Sequence, residues 1–188
     1  MHVLVTKRLT LRPPALPDAD DIAEGLSNWN VARMLGPVPF PYFPEDAEDW
    51  LAGPAARPEG LVYTIHREKL IGVVSLEGGG SEPRLGYWLA EPWHGHGYMT
   101  EAATALLDHA FATRVMTGVT SSVFADNPAS LRLQEKLGFR ITGARQIFSR
   151  SRDAMVDALT TRLDAVDWAH AGRRKQRERV APTALAAA

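Results

Sequence analysis

Apolar and polar residues change period several times along the chain, and each change marks an element. From Thr6 to Arg12, Leu9 and Leu11 alternate with Arg8, Thr10 and Arg12, the period of a half-buried strand that Pro13 and Pro14 end. Asp18 is placed to cap a helix carrying Ile22, Ala23 and Leu26, and a second helical patch with Val31, Met34 and Leu35 stops at Gly36 and Pro37. The proline-broken aromatic segment from Val38 to Phe43 cannot be a regular element and reads as an ordered loop, serving either as a pocket wall or as core packing. Leu61 to Arg67 and Leu70 to Glu77 are apolar, β-branched runs around a short charged turn, which predicts an antiparallel hairpin. After Gly78-Gly79-Gly80, the segment Arg84 to Ala90 forms a strand that Glu91-Pro92 ends.

The period then lengthens. Met99, Ala102, Ala103, Leu106, Leu107, Ala110 and Phe111 share one helical stripe. Thr117 to Phe124 is β-branched and completes a strand–helix–strand unit whose strands should be parallel with a right-handed crossover. Asn127 as N-cap, Pro128 at the first helical position and Leu137-Gly138 at the end bound a helix of about three turns. Arg140 to Ser149 and Met155 to Leu163 read as two more strands around Ser151-Arg152-Asp153. The result is a mixed α/β fold with an antiparallel finish. Residues 1–169 are expected to form one domain, with 170–188 a basic, flexible tail. No aromatic interleaves the basic residues of that tail, so it reads as solvated rather than as a nucleic-acid surface.

Composition narrows the classes without choosing among them. A chain of 188 residues suits one domain, and 45% hydrophobic with 23% charged residues is ordinary for a globular protein. A formal charge of −1 gives no global field for nucleic acid or an anionic membrane. The absence of cysteine excludes disulfides, thiolate catalysis and Cys-ligated metals. No apolar run approaches the roughly 20 residues needed to cross a bilayer, and none of signal-peptide length begins the sequence, so no membrane partner is expected and a cytoplasmic location is the default. Oligomeric state is not legible, and a homodimer stays open.

The chemistry begins at Trp93-His94-Gly95-His96-Gly97-Tyr98, between a strand and the Met99 helix. Free N–H groups and the helix dipole favour an anion there, and glycines let a diphosphate approach the backbone. The Gly-Lys-Ser/Thr ending of a P-loop is absent, Thr100 stands where a dinucleotide fingerprint needs its third small residue, and Asp126 follows about 30 rather than about 20 residues on. His94 and His96 lack a third ligand spaced to join them, so no metal is expected and phosphate-side contacts suit them better.

Four motifs in order resemble the GNAT superfamily of N-acetyltransferases, particularly the branch with the ribosomal-protein N-terminal (alanine/serine) acetyltransferases. These are Thr6-Lys7-Arg8-Leu9-Thr10-Leu11-Arg12, Leu85-Gly86-Tyr87-Trp88-Leu89, Gly95-His96-Gly97-Tyr98-Met99-Thr100-Glu101-Ala102, and Asn127-Pro128-Ala129-Ser130 with Lys136-Leu137-Gly138-Phe139. The resemblance implies a twisted, mostly antiparallel sheet of about seven strands with about four helices, whose one parallel unit carries the cofactor loop. It implies acetyl-CoA as co-substrate. Backbone near Leu89 and Ala90 would bind the pantetheine arm like an added strand, and amides of Gly95, His96, Gly97, Tyr98, Met99 and Thr100 would hold the diphosphate. Asn127 would hydrogen-bond the arm, cap its helix, or both.

Catalytic roles are less evenly supplied. Where the family often has a thiolate-protonating tyrosine this chain has Gln134, so the resemblance shifts that role to Ser130, which reads equally well as a polar first-turn residue. Arg84 stands where many relatives carry a glutamate, leaving Glu82 as the nearest acid and either a base or a solvated side chain. A missing strong base favours an acceptor of low pKa: deprotonating an α-amine (about 7.7 to 8.0) at neutral pH costs about 3.5 kcal/mol less than deprotonating lysine (about 10.4). The expected activity is therefore acetyl transfer to a protein or peptide N-terminal α-amine. A small-molecule amine such as an amino acid or aminoglycoside, and a catalytically silent acyl-CoA-binding module, are the alternatives.

Overall fold

The computed structural model describes residues 2–170; Met1 and most of the predicted tail, 171–188, lie outside the described residues. Its sheet has eight strands rather than about seven: β1 (Leu4–Val5), β2 (Thr10–Arg12), β3 (Leu61–His66), β4 (Leu70–Glu77), β5 (Arg84–Leu89), β6 (Gly118–Phe124), β7 (Arg140–Ser149) and β8 (Ala154–Asp164). They lie in the order β1-β2-β3-β4-β5-β6-β8-β7, antiparallel except for β5 beside β6. The extra strand arises at the N-terminus, where the expected strand from Thr6 to Arg12 is broken. Thr6 N–H closes a turn onto Leu9 O at 2.9 Å. The carboxylate of Glu101, far along the chain, takes Thr6 Oγ1 at 2.6 Å and Arg8 N–H at 2.9 Å.

Five α-helices, α1 (Ala19–Leu26), α2 (Trp29–Ala32), α3 (Pro44–Ala52), α4 (Tyr98–Thr113) and α5 (Pro128–Leu137), precede a helical stretch at 165–170. Asp18 does not cap α1 with its side chain. It is buried beside Arg12, whose guanidinium donates to both carboxylate oxygens, and it accepts from Ala15 N–H at 2.8 Å. No apolar period announces α3, which buries only Ala47 and Leu51, one helical turn apart, and starts where Phe43 N–H donates to Asp46 at 3.0 Å.

The periodic stripe of α4 packs on one face of the sheet. Met99, Ala102, Ala103, Leu106 and Leu107 share a core with Leu85 and Leu89 of β5 and Ile71 and Val74 of β4. Leu106 and Leu107 are fully buried, each contributing about 1.5–3 kcal/mol of transfer free energy. On the opposite face α1 and α3 form a second core against Leu70 and Trp88.

The functional feature of the sheet is the seam between β5 and β6. Their parallel ladder holds one pair, Arg84 with Thr120, reinforced by Thr120 N–H to Pro83 O at 3.0 Å and Ser121 Oγ to Leu85 O at 2.9 Å. Beyond it β5 stays with β4 as far as Leu89, while β6 stays with β8 as far as Phe124. The two strands therefore part towards their C-terminal ends.

Candidate active site

Three elements meet at the open end of the seam: the turn between β5 and α4, the end of β5, and the first turn of α5. In the turn Gly95 and Gly97 have φ of 79° and 77°, in the left-handed region where a side chain is strained. Among the described residues, no backbone N–H from Gly95 through Thr100 reaches a backbone acceptor; the first that does is Glu101, to Gly97 O at 3.1 Å. Gly97 caps α4 without a side chain, so these amides and the helix dipole present an anion site.

Residues that sequence reasoning did not assign hold this turn in place. Arg8 donates from Nη1 to His96 O at 3.0 Å, and its Cζ lies 4.5 Å from the centre of the Tyr98 ring. Arg67 donates to the Tyr98 hydroxyl at 2.6 Å, and His96 stacks on the same ring at 5.7 Å. Glu101 anchors Arg8 with Nε–Oε2 at 2.7 Å. Burial alone would raise the Glu101 carboxyl, but the hydrogen bonds from Thr6 and Arg8 outweigh it and leave the carboxyl below its ordinary value. On the other flank Asn28 and Asn30 donate to Glu91 at 2.6 and 2.9 Å. These two hydrogen bonds hold the Glu91 carboxyl low. A cavity of about 550 Å³ runs from Thr6 and Gly97 along Thr100 and Thr104 to Asp108 and Lys136.

At the end of β5 the backbone groups differ in availability. Ala90 N–H is bonded to Ile71 O at 2.9 Å and its carbonyl accepts from Trp93 N–H at 3.0 Å, so both its groups are used internally. By strand alternation the backbone groups of Tyr87 and Leu89 face the seam. The Leu89 carbonyl accepts from His94 Nε2 at 2.8 Å, which fixes the proton on Nε2 and points His94 at the strand end. Asn127 caps α5, Oδ1 accepting from Ser130 N–H at 3.0 Å, which leaves its NH₂ group as a further donor.

Ser130 ends a directed chain of hydrogen bonds. Thr161 Oγ1 donates to Gln134 Oε1 at 2.6 Å, and Gln134 Nε2 donates to Ser121 Oγ at 2.9 Å and to the Tyr87 hydroxyl at 3.2 Å. Tyr87 and Ser130 Oγ are 2.6 Å apart. A phenol has one proton to give. Since Tyr87 already accepts from Gln134, the arrangement that uses that proton has Tyr87 donating to Ser130, and the Ser130 O–H is left to donate onward. Burial raises the Tyr87 phenol above its ordinary value, against the lowering effect of Ser130 and Gln134, so it stays protonated at neutral pH. Gln134, in the family's tyrosine position, thus orients a tyrosine supplied by β5. Sequence spacing gave no sign of this contact, because Tyr87 and Ser130 are 43 positions apart.

Glu82 is not brought to this point. It precedes β5, at the end of the strand away from the glycine turn, paired with Arg162 at 2.5 Å and accepting from Thr117 at 3.1 Å. Those two hydrogen bonds lower its carboxyl, making it a weaker base. Arg84 is paired with Glu77 across the β4–β5 ladder. Of the aromatic loop, Tyr42 is in the core, whereas Trp29 and Phe40 are exposed and meet edge to face at 5.2 Å. Among the described residues no group of three or more His, Asp or Glu is placed to hold a metal, and no helix is long and apolar enough to cross a membrane.

The model of the acetyltransferase (GNAT) domain matches residues 8–140. The chain belongs to the GNAT acetyltransferase family. It is accordingly an N-acetyltransferase, and acetyl-CoA is the co-substrate that the family uses. The uncharacterized N-acetyltransferase p20 of Bacillus licheniformis is 27% identical over 170 residues, covering 84% of this chain and 93% of that protein. Among solved structures, RimL, a ribosomal L7/L12 α-N-protein acetyltransferase in complex with coenzyme A, superposes with a TM-score of 0.77 at 18% identity, covering 89% of this chain and 99% of that one. The microcin C7 self-immunity acetyltransferase MccE, in complex with acetyl-CoA and AMP, gives 0.74 at 20% identity, covering 85% and 93%. At these identities the two structures establish the fold. The residues present suit acetyl-CoA: the glycine turn offers unpaired amides to a diphosphate, a Cβ at Gly95 would meet nothing within 4 Å on the open face, and the parted strands leave backbone groups for an extended arm.

Proposed function

We propose that the protein transfers the acetyl group of acetyl-CoA to the α-amine of a protein or peptide N-terminus by direct attack within a ternary complex. Acetyl-CoA supplies a thioester carbonyl as electrophile and a thiol as leaving group. The amides from Gly95 through Thr100 bind the diphosphate, the seam-facing groups of Tyr87 and Leu89 bind the arm, and the Asn127 NH₂ group adds a donor. The acceptor nitrogen bonds to the acetyl carbon, the carbon–sulfur bond breaks, the amine proton leaves to solvent, and Ser130 Oγ gives the sulfur its proton. Ser130 regains a proton from solvent once CoA leaves, matching the one the amine released, while Tyr87, itself held by Gln134, keeps the Ser130 hydroxyl in orientation.

The observation that carries this reading is the Gln134–Tyr87–Ser130 hydrogen-bond chain, in which Tyr87 accepts from Gln134 and, donating to Ser130, leaves the Ser130 O–H for the seam. No carboxylate enters the chain, and Glu82 is engaged by Arg162. A site with a proton donor but no strong base suits an amine whose neutral form is an appreciable minority at pH 7 rather than a trace, which favours α-amines over lysine by about 3.5 kcal/mol. The likeness to a ribosomal-protein α-N-acetyltransferase points the same way.

The test uses matched peptides bearing only a free α-amine or only a free ε-amine, with CoA release as readout. Faster reaction of the α-amine supports the proposal, and faster lysine acetylation overturns the acceptor. A thermal shift with acetyl-CoA but no CoA release from any peptide or small amine would instead indicate an acyl-CoA-binding module.

A further inference from the structure

On the face of the sheet away from α4 and α5, a second cavity of about 400 Å³ opens on the same seam. Arg84 of β5, Ser122 and Phe124 of β6, Arg145 of β7, and Met34 and Arg150 line it. Its side of the sheet follows from alternation: Ser121 reaches Gln134 of α5, so Ser122 points to the opposite face. It therefore approaches the parted strands from the side opposite the Ser130–Tyr87 pair.

The charge in this cavity is out of proportion to the chain. Arg145 donates to Ser122 Oγ at 3.0 Å and Arg150 to Pro37 O at 3.3 Å. Among the described residues, neither has a carboxylate within 4.0 Å. Arg84 has Glu77. At the edge, Arg152 lies over the Phe124 ring at 5.0 Å and shares the single carboxylate of Asp126 with Arg33, at 2.8 and 3.7 Å. Three arginines thus line one cavity with only Arg84 paired to a carboxylate, and a fourth, Arg152, stands at its Phe124 edge, in a chain whose formal charge is −1. Arginines left with hydroxyl and carbonyl partners beside apolar surface from Phe124, Ile147 and Phe148 are arranged to take planar anions in bidentate fashion.

We infer that this cavity selects acceptors whose chain begins with acidic residues, Arg145 and Arg150 binding a carboxylate next to the reacting amine. The inference rests on the acetyl-transfer reading above and names its substrate class.

The experiment compares free-α-amine peptides carrying Asp and Glu at the first positions with the same peptides carrying Asn and Gln. CoA release is followed at low and high salt, and binding of the N-acetylated peptides is measured by calorimetry. The acidic peptides should show kcat/KM about tenfold higher at low salt, mostly through KM, and the ratio should shrink as salt rises. In the R145Q/R150Q double variant the ratio should fall to within about twofold, with thermal unfolding little changed because both side chains are exposed. Equal rates for acidic and neutral peptides would overturn the inference and leave acetyl transfer standing. Arginine-dependent binding of acidic peptides without CoA release from any of them would overturn acetyl transfer to peptide amines and leave the anion site. Neither binding nor release would overturn both.

Discussion

Replacing Tyr87 by Phe removes one oxygen from the middle of the hydrogen-bond chain and tests whether it orients the Ser130 proton. Gln134 keeps Ser121 at 2.9 Å and Thr161 at 2.6 Å, so the fold loses about 1–2 kcal/mol, visible as a modest drop in Tm. Ser130 loses its 2.6 Å partner, and its hydroxyl is then free to rotate. A positioned general acid contributes about 10²–10⁴ in rate. S130A should therefore lower kcat by about a hundredfold or more, and Y87F, which disorders the donor without deleting it, by about tenfold, equivalent to about 1.4 kcal/mol. KM for acetyl-CoA should stay within about twofold in Y87F, because the arm is bound by backbone. The assay is CoA release at saturating acetyl-CoA for wild type, S130A, Y87F and the double variant. Tyr87 acts only through Ser130, so the double variant should be no slower than S130A by more than about twofold. Because the phenol is raised above its ordinary value, the kcat–pH profile of Y87F should keep the wild-type shape below about pH 9, scaled down. An S130A enzyme with undiminished kcat, or a full Y87F effect in the S130A background, would refute the reasoning.

Other consequences are equally measurable. Gln134→Leu should cost about 2–4 kcal/mol in chemical denaturation, since a side chain only 2% exposed leaves buried Thr161 and Ser121 without their amide. Gly97→Ala should cost about 1–2 kcal/mol for a side chain held at φ 77° and should reduce the acetyl-CoA-induced rise in Tm. Glu101→Gln tests the Arg8 clamp by its pH dependence. The folded carboxyl lies below its ordinary value of 4.5, so its stabilisation is fully present above that value and is lost as pH falls through the lower folded one. Wild type should be the more stable at pH 7 by about 1 kcal/mol, and the difference should shrink on acidification; a constant difference down to pH 3 would sink the assignment.

What the sequence made legible was short-range. The stripe of α4 could be read because its apolar spacing repeats at helical period, and all of it but Phe111 is buried. The positive φ of Gly95 and Gly97 follows from residue type and position. Asn127 and Gly138 mark both ends of α5 because capping is local. What escaped depends on partners far along the chain. The turn at Thr6–Leu9 is fixed by Glu101, and α3 leans on its neighbours with two buried residues, too few to set a period. The Tyr87–Ser130 contact exists only because β5 and α5 converge at the seam, and Glu82, near in sequence to β5, is at the wrong end of it. Arginines of the second cavity come from β5, β7 and the turn after β7, and no linear charge run announces them.

The single ladder pair between β5 and β6 has a mechanical consequence. Strands β1 to β5 and strands β6 to β8 are two plates riveted at Arg84–Thr120, with helices spanning the joint above. An extended ligand wedged between the plates would complete backbone ladders on either side and act as a splint. The co-substrate would then be a temporary strand of the fold, and the enzyme would be stiffest in the state in which it is loaded.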